Sequence, residues 1–265
     1  LYTPFDFNEI VSHKKDYCED RLRQGSPVVG AAYDGGLMLL TVRRTQRKVY
    51  EIYDRHMFSA IGNQSDIETL RLSAINIAHQ EGFERSPDDV TMHRLVGFTL
   101  SPALKRAFSE QLTIPLVVRA LFAEIGRTQE GDGFYVLNYD GEFRQHTGSA
   151  AVAGTQAAED QMLERLGTST REMTRAEAAR QSLAAWIVGA RAALRSTRDR
   201  DRDGEDSLDS LRTIESAEAD DAFLRDELKT AAVEIGVLER RANREARFQL
   251  LPEAEVARAV ASFRS

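Results

Sequence analysis

The chain has 265 residues, 42% of them apolar and 29% charged, with a formal net charge of −7 and a pI near 5.4. That apolar share is enough for a packed core and excludes wholesale disorder, while the acidic balance disfavours a general nucleic-acid binder. No apolar run approaches the ~18 residues of a membrane span, and a single cysteine, Cys18, excludes an internal disulfide and a cysteine-rich zinc site. The opening LYTPFDFNEI has neither the charged nor the apolar region of a secretory signal, so the expected location is cytoplasmic, with no membrane and no nucleic-acid partner.

Residues 1–7 read as irregular, with Pro4 among aromatic residues, and 7–23 as a helix whose stripe runs through Ile10, Val11, Tyr17, Cys18 and Leu22. Gly25 stops it. Four short strands follow at 28–33, 37–42, 49–53 and 57–61. Asp34-Gly35-Gly36 is a hairpin turn, 43–48 is a basic connection, and Asp54-Arg55 is a second turn. Ser65 is the expected N-cap of a helix over 66–80, with Glu68 completing a capping box and Gly82 ending it. Pro87-Asp88-Asp89 opens a second helix over about 90–111, which Pro102 must kink or split.

A second run of strands is expected at 116–125, 134–138, 142–146 and 150–153, followed by helices over 155–166 and 174–194. Thr174 and Glu177 form a capping box for the latter. Residues 195–230 are almost purely charged and read as a mobile insertion. A hairpin from 232–239 and 246–251 and a short helix over 253–263 end the chain. Strands in blocks, separated by blocks of helices, predict one domain over 1–265. Its fold class is α/β (α+β): a four-layer αββα sandwich of two antiparallel sheets with helices on both outer faces.

Little in the residues points to chemistry. His13, His56, His79, His93 and His146 are scattered without metal-ligand spacing. Gly35-Gly36 and the 131–133 turn match no phosphate-binding loop, so no cofactor is expected. Cys18 sits on the apolar stripe of the first helix and should be buried and inert.

Three stretches resemble the proteasome family, in particular its bacterial α-type subunits: the helix leading into Gly25-Ser26 and strand 28–33, the run RKVYEIYDRHMFSAIGNQSDIETLR, and the tail VEIGVLERRANREARF. The resemblance covers residues 4–194 and 231–263. It implies the sandwich fold and a non-catalytic subunit. That subunit would form a homo-heptameric outer ring, template assembly of proteolytic β-type subunits, gate substrate entry and dock an ATPase activator ring. The charged insertion looks longer than the family's usual one.

The resemblance also implies site residues. Leu1, Tyr2, Thr3, Pro4 and Phe5 would converge on the ring axis as a gate. Lys48 would pair with the C-terminal carboxylate of an activator tail, within the positive field of Arg43, Arg44 and Arg47. Catalytic members of the family use an N-terminal threonine, and here that position falls near Ser26. Pro27 follows it directly, and the carboxylate expected at the end of the second strand is replaced by Val42. No catalytic residue is therefore expected. Two alternatives remain: an active N-terminal-nucleophile hydrolase using Ser26, and a self-assembling ring with no protease partner.

Overall fold

Pairing between strands divides the chain into two antiparallel five-stranded sheets. β1 (Val28–Tyr33) and β2 (Gly36–Arg43) form a hairpin, with Val28 opposite Thr41 and Tyr33 opposite Gly36. They are joined by β8 (Ser149–Val152), β9 (Ala232–Glu239) and β10 (Phe248–Leu250), in the order β10-β9-β2-β1-β8. β3 (Tyr50–Tyr53), β4 (His56–Gly62), β5 (Val118–Glu124), β6 (Gly133–Leu137) and β7 (Phe143–His146) pair in sequence order to make the second sheet. The computed structural model describes residues 4–167, 170–201, 217–241 and 247–263, with side chains described for 8–167, 170–195, 219–241 and 247–261.

Three apolar clusters follow from the two-residue period of the strands. In β1, Val28 and Ala32 point between the sheets, whereas Val29, Ala31 and Tyr33 point outward. In β5, Leu121 and Ala123 point between the sheets, and Val118, Ala120 and Phe122 point outward. Both faces of the central strands are buried, so β1, β2, β4, β5 and β6 read as nearly continuous apolar runs. The sheets approach closely at Gly30, where an added Cβ would lie 2.8 Å from the Phe134 ring.

α5 (Gln156–Leu166), α6 (Arg175–Asp201) and α8 (Glu253–Phe263) cover the outer face of the first sheet. α2 (Gln64–Glu84) and the helical run from α3 (Met92–Arg94) to α4 (Ser101–Ser109) cover the second. The αββα sandwich expected from the sequence is the observed architecture. α1 (Pro4–Leu22) lies across one end, burying Cys18 and Leu22 in the cluster between the sheets. Lys14 ties it to α4 through the carbonyls of Phe108 and Glu110.

Several boundaries differ from expectation for identifiable reasons. α1 begins at Pro4, because a proline in the first turn of a helix sacrifices no hydrogen bond; residues 4–6 are helical rather than irregular. Asn63, not Ser65, occupies the N-cap of α2. Glu68 turns to Arg71 at 2.6 Å instead of closing a capping box, and the Asp66 carboxylate accepts from Val117 N at 2.8 Å, tying the helix start to β5. Gly82 lies inside α2 because Tyr53 packs against it: a Cβ there would sit 2.3 Å from the phenol oxygen. Pro102 does interrupt its helix. The chain widens into a π-helical segment over Leu95–Leu100, and α4 starts with the proline in its first turn, where the missing N–H is tolerated.

The Thr174–Glu177 capping box forms, with Thr174 N donating to Glu177 Oε2 at 2.9 Å and Glu177 N donating to Thr174 Oγ1 at 3.4 Å. α6 runs on to Asp201, since no glycine or proline lies between Gly189, which packs against Met162, and Gly204. Within the stretch read as a charged insertion, α7 (Ala217–Glu227) is a docked helix. Leu224 is fully buried, and Asp220 pairs with Arg191 of α6. Residues 202–216 lie outside the described residues. Among the described residues, no helix is long and apolar enough to cross a membrane.

Candidate functional site

The chain passes from one sheet to the other through residues 44–49, between β2 and β3. This crossover forms the rim of a cleft of about 520 Å³ beside the end of α1. Arg23, Arg43, Arg44, Arg47 and Lys48 all line it. Short contacts hold the crossover in shape. Tyr50 donates its hydroxyl to Arg47 O at 2.6 Å, and the Arg71 guanidinium stacks 4.6 Å from the Tyr50 ring centre.

Glu234 organises the cationic wall. It stands on β9 opposite Thr41 and is only 7% exposed. Its Oε1 accepts from Lys48 N at 3.0 Å and Val49 N at 2.7 Å, and its Oε2 forms an ion pair with Arg43 Nε at 2.7 Å. A buried carboxylate is tolerated only when its oxygens are satisfied in this way. The sequence reading missed it. Its one signal was a charged residue inside an otherwise apolar strand, AVEIGVLE.

Lys48 reaches inward from the crossover and donates its ammonium to Ser26 O at 2.7 Å, the one hydrogen bond that its Nζ makes among the described residues. Although the residue keeps some exposed surface, its ammonium is densely surrounded, and this burial lowers its pKa to about 8, with Glu234 partly opposing the shift. Glu234 spends its oxygens on backbone amides and Arg43, and among the described residues no carboxylate directly contacts the ammonium. The desolvated ammonium and four arginines together give the cleft a positively charged lining.

Ser26 also meets the cleft, but its hydroxyl is engaged. Oγ donates to Val42 O at 2.6 Å and accepts from Trp186 Nε1 at 3.3 Å. The ammonium beside it contacts its carbonyl rather than its hydroxyl.

Elsewhere near α1, in a second cleft that Lys15, Glu19 and Arg23 also line, Arg119 and Glu159 form a buried pair. Nη1 of Arg119 donates to Glu159 Oε1 at 3.0 Å and Ala153 O at 2.9 Å, while Arg119 Nε finds no acceptor among the described residues. Glu159 also accepts from Ala153 N at 3.0 Å. Burial raises the pKa of Glu159 despite the opposing pull of Arg119.

No protein-family model matches the chain. Curated relatives do. It is 31% identical to the proteasome subunit alpha of Thermomonospora curvata over 194 residues, which is 72% of this chain and 83% of that protein. It is 30% identical to the proteasome subunit alpha of Frankia casuarinae over 196 residues, covering 70% and 78% of the two chains. The chain belongs to the proteasome α-subunit family. With the proteasome subunit alpha of Xylanimonas cellulosilytica the identity is 33% over 62% of this chain, and the match spans 66% of that protein, a little under two thirds of its length. For Sanguibacter keddieii the match spans 63%.

The other residues singled out by the proteasome resemblance are placed unevenly. Leu1, Tyr2 and Thr3 lie outside the described residues. Pro4 and Phe5 form the start of α1, and their side chains are outside the description. Cys18 is buried, and that burial pushes its thiol pKa up to about 12, which keeps it protonated and inert. His56 is buried with Nε2 3.5 Å from Glu124 Oε1, while His13, His79 and His93 are exposed. Among the described residues, no three potential metal ligands cluster.

Proposed function

We propose that this chain is a non-catalytic α-type subunit of a bacterial proteasome core. It forms a heptameric outer ring, templates the stacking of proteolytic β-type subunits, and serves intracellular protein degradation in the cytoplasm. Membership of the α-subunit family supports the subunit role. The engaged hydroxyl of Ser26, with Val42 in place of an acid, supports the absence of catalysis by this chain.

The observation that carries the docking role is the Lys48 ammonium. It is desolvated, donates to a single backbone carbonyl among the described residues, and lines an open cleft with four arginines. An activator ring docks by inserting C-terminal tails, whose terminal carboxylates complete the ammonium's coordination. Leu1, Tyr2 and Thr3, with Pro4 and Phe5 at the start of α1, close the pore on the ring axis.

Native mass spectrometry of the chain purified from its host tests the assembly. A particle holding equal numbers of this intact chain and a second, processed chain is expected, and a homo-oligomer without a second chain would overturn the reading. Lys48→Ala tests the docking role. Activator-stimulated protein degradation should be lost while hydrolysis of short peptides continues, and unchanged stimulation would remove Lys48 from the site.

A further inference from the structure

The cationic rim accounts for only part of the Lys48 cleft. Trp186, Ala190 and Leu194 of α6 and Phe223 and Glu227 of α7 line the rest. Leu194 is 46% exposed and Phe223 is half-buried, so large apolar surface faces the cleft beside the arginines. The Phe223 ring lies 6.3 Å from that of Trp186, with the planes 31° apart. Burial of Leu224 and the Asp220–Arg191 ion pair fix α7 in place.

The two walls meet at one residue. The Trp186 indole donates to Ser26 Oγ at 3.3 Å, and the Lys48 ammonium donates to Ser26 O at 2.7 Å. Trp186 itself is buried, so the apolar surface that the cleft presents near Ser26 is that of Phe223, packed against the indole, and of Leu194.

We propose that α7 makes this cleft selective for the last side chain of its peptide ligand. The terminal carboxylate meets Lys48, and a large apolar terminal side chain packs on Phe223 and Leu194. This inference rests on the Lys48 reading above and adds a specificity-determining residue to it. Exposed apolar surface at the bottom of a charged cleft is what a mixed ligand of this kind covers.

The test is fluorescence anisotropy on the full chain in its assembled form. It uses three labelled peptides of one sequence: one ending in leucine as the free acid, one ending in alanine as the free acid, and one ending in leucine amide. The leucine acid should bind about tenfold tighter than the alanine acid. Phe223→Ala should reduce that ratio to about twofold or less while keeping the preference for acid over amide, and Phe223→Leu should restore most of it. An unchanged leucine-to-alanine ratio in Phe223→Ala, or no such preference in the wild type, would overturn the role of α7 and leave Lys48 standing. Loss of both preferences in Phe223→Ala would reduce α7 to structural support and overturn the inference as well. If the wild type binds the amide as well as the acid, or binds no peptide, the Lys48 reading itself fails.

Discussion

Lys48 and Arg119 line two clefts that share Arg23, just beyond α1, and they are treated in opposite ways. Arg119 is closed off: Glu159 and the Ala153 carbonyl take its Nη1, and the same carboxylate oxygen accepts the Ala153 amide. Lys48 is left open. Its near neighbour Glu234 is held by two backbone amides and Arg43, and among the described residues the ammonium has only the Ser26 carbonyl. Burying a cation beside its own carboxylate makes a structural joint, whereas burying one with its carboxylate turned aside makes a receptor for someone else's.

The largest expected effect lies on the closed side. Glu159→Ala strands Arg119 without a counter-charge and should destabilise the fold by about 3–5 kcal/mol, read from denaturant unfolding. Replacing both members by apolar residues, as Arg119→Met with Glu159→Leu, should recover most of that loss, because the burial that raises the Glu159 pKa shows that the pair itself is costly to desolvate. A double variant as unstable as the single one would break the comparison.

On the open side the effect should be smaller and should appear in function. Glu234→Gln keeps an oxygen for the Lys48 and Val49 amides but removes the charge held by Arg43. A stability loss of about 1–2 kcal/mol is expected. Removing the nearby anion should also lower the Lys48 pKa below its present value of about 8. NMR of the Lys48 side chain reads that shift directly, and an unmoved titration would mean that Glu234 acts on the backbone alone.

The sequence conveyed the layers better than it conveyed this contrast. Strand positions were legible because local alternation and turn residues are enough to place 28–33 or 57–61, and the Thr174–Glu177 box was legible because its partners are three residues apart. Ser65 and Gly82 misled because each was read from local propensity, while distant partners decided the outcome: Val117 held by Asp66, and Tyr53 packed on the glycine. Lys48 was reachable through family resemblance alone. Its counterpart Glu234 is 186 positions away, and Arg119 and Glu159 are 40 apart, so no spacing rule connects them. α7 was hidden by composition, since Phe223 and Leu224 are its only large apolar residues.

The finest test of the open cation is the pH dependence of carboxylate binding. The folded Lys48 pKa is depressed from 10.5 to about 8 by burial, so the empty cleft carries its full charge below pH 8 and loses it as pH rises through that value. A bound carboxylate favours the charged form and raises the pKa in the complex. Affinity should therefore be flat below about pH 7 and fall by up to about tenfold per pH unit above 8, until the pKa of the complex is passed. Lys48→Arg keeps a cation that does not titrate in this range, so its profile should be flat wherever binding survives. In Glu234→Gln, the fall should begin at lower pH than in the wild type. A wild-type profile as flat as that of Lys48→Arg would mean that the four arginines, and not the buried ammonium, hold the ligand.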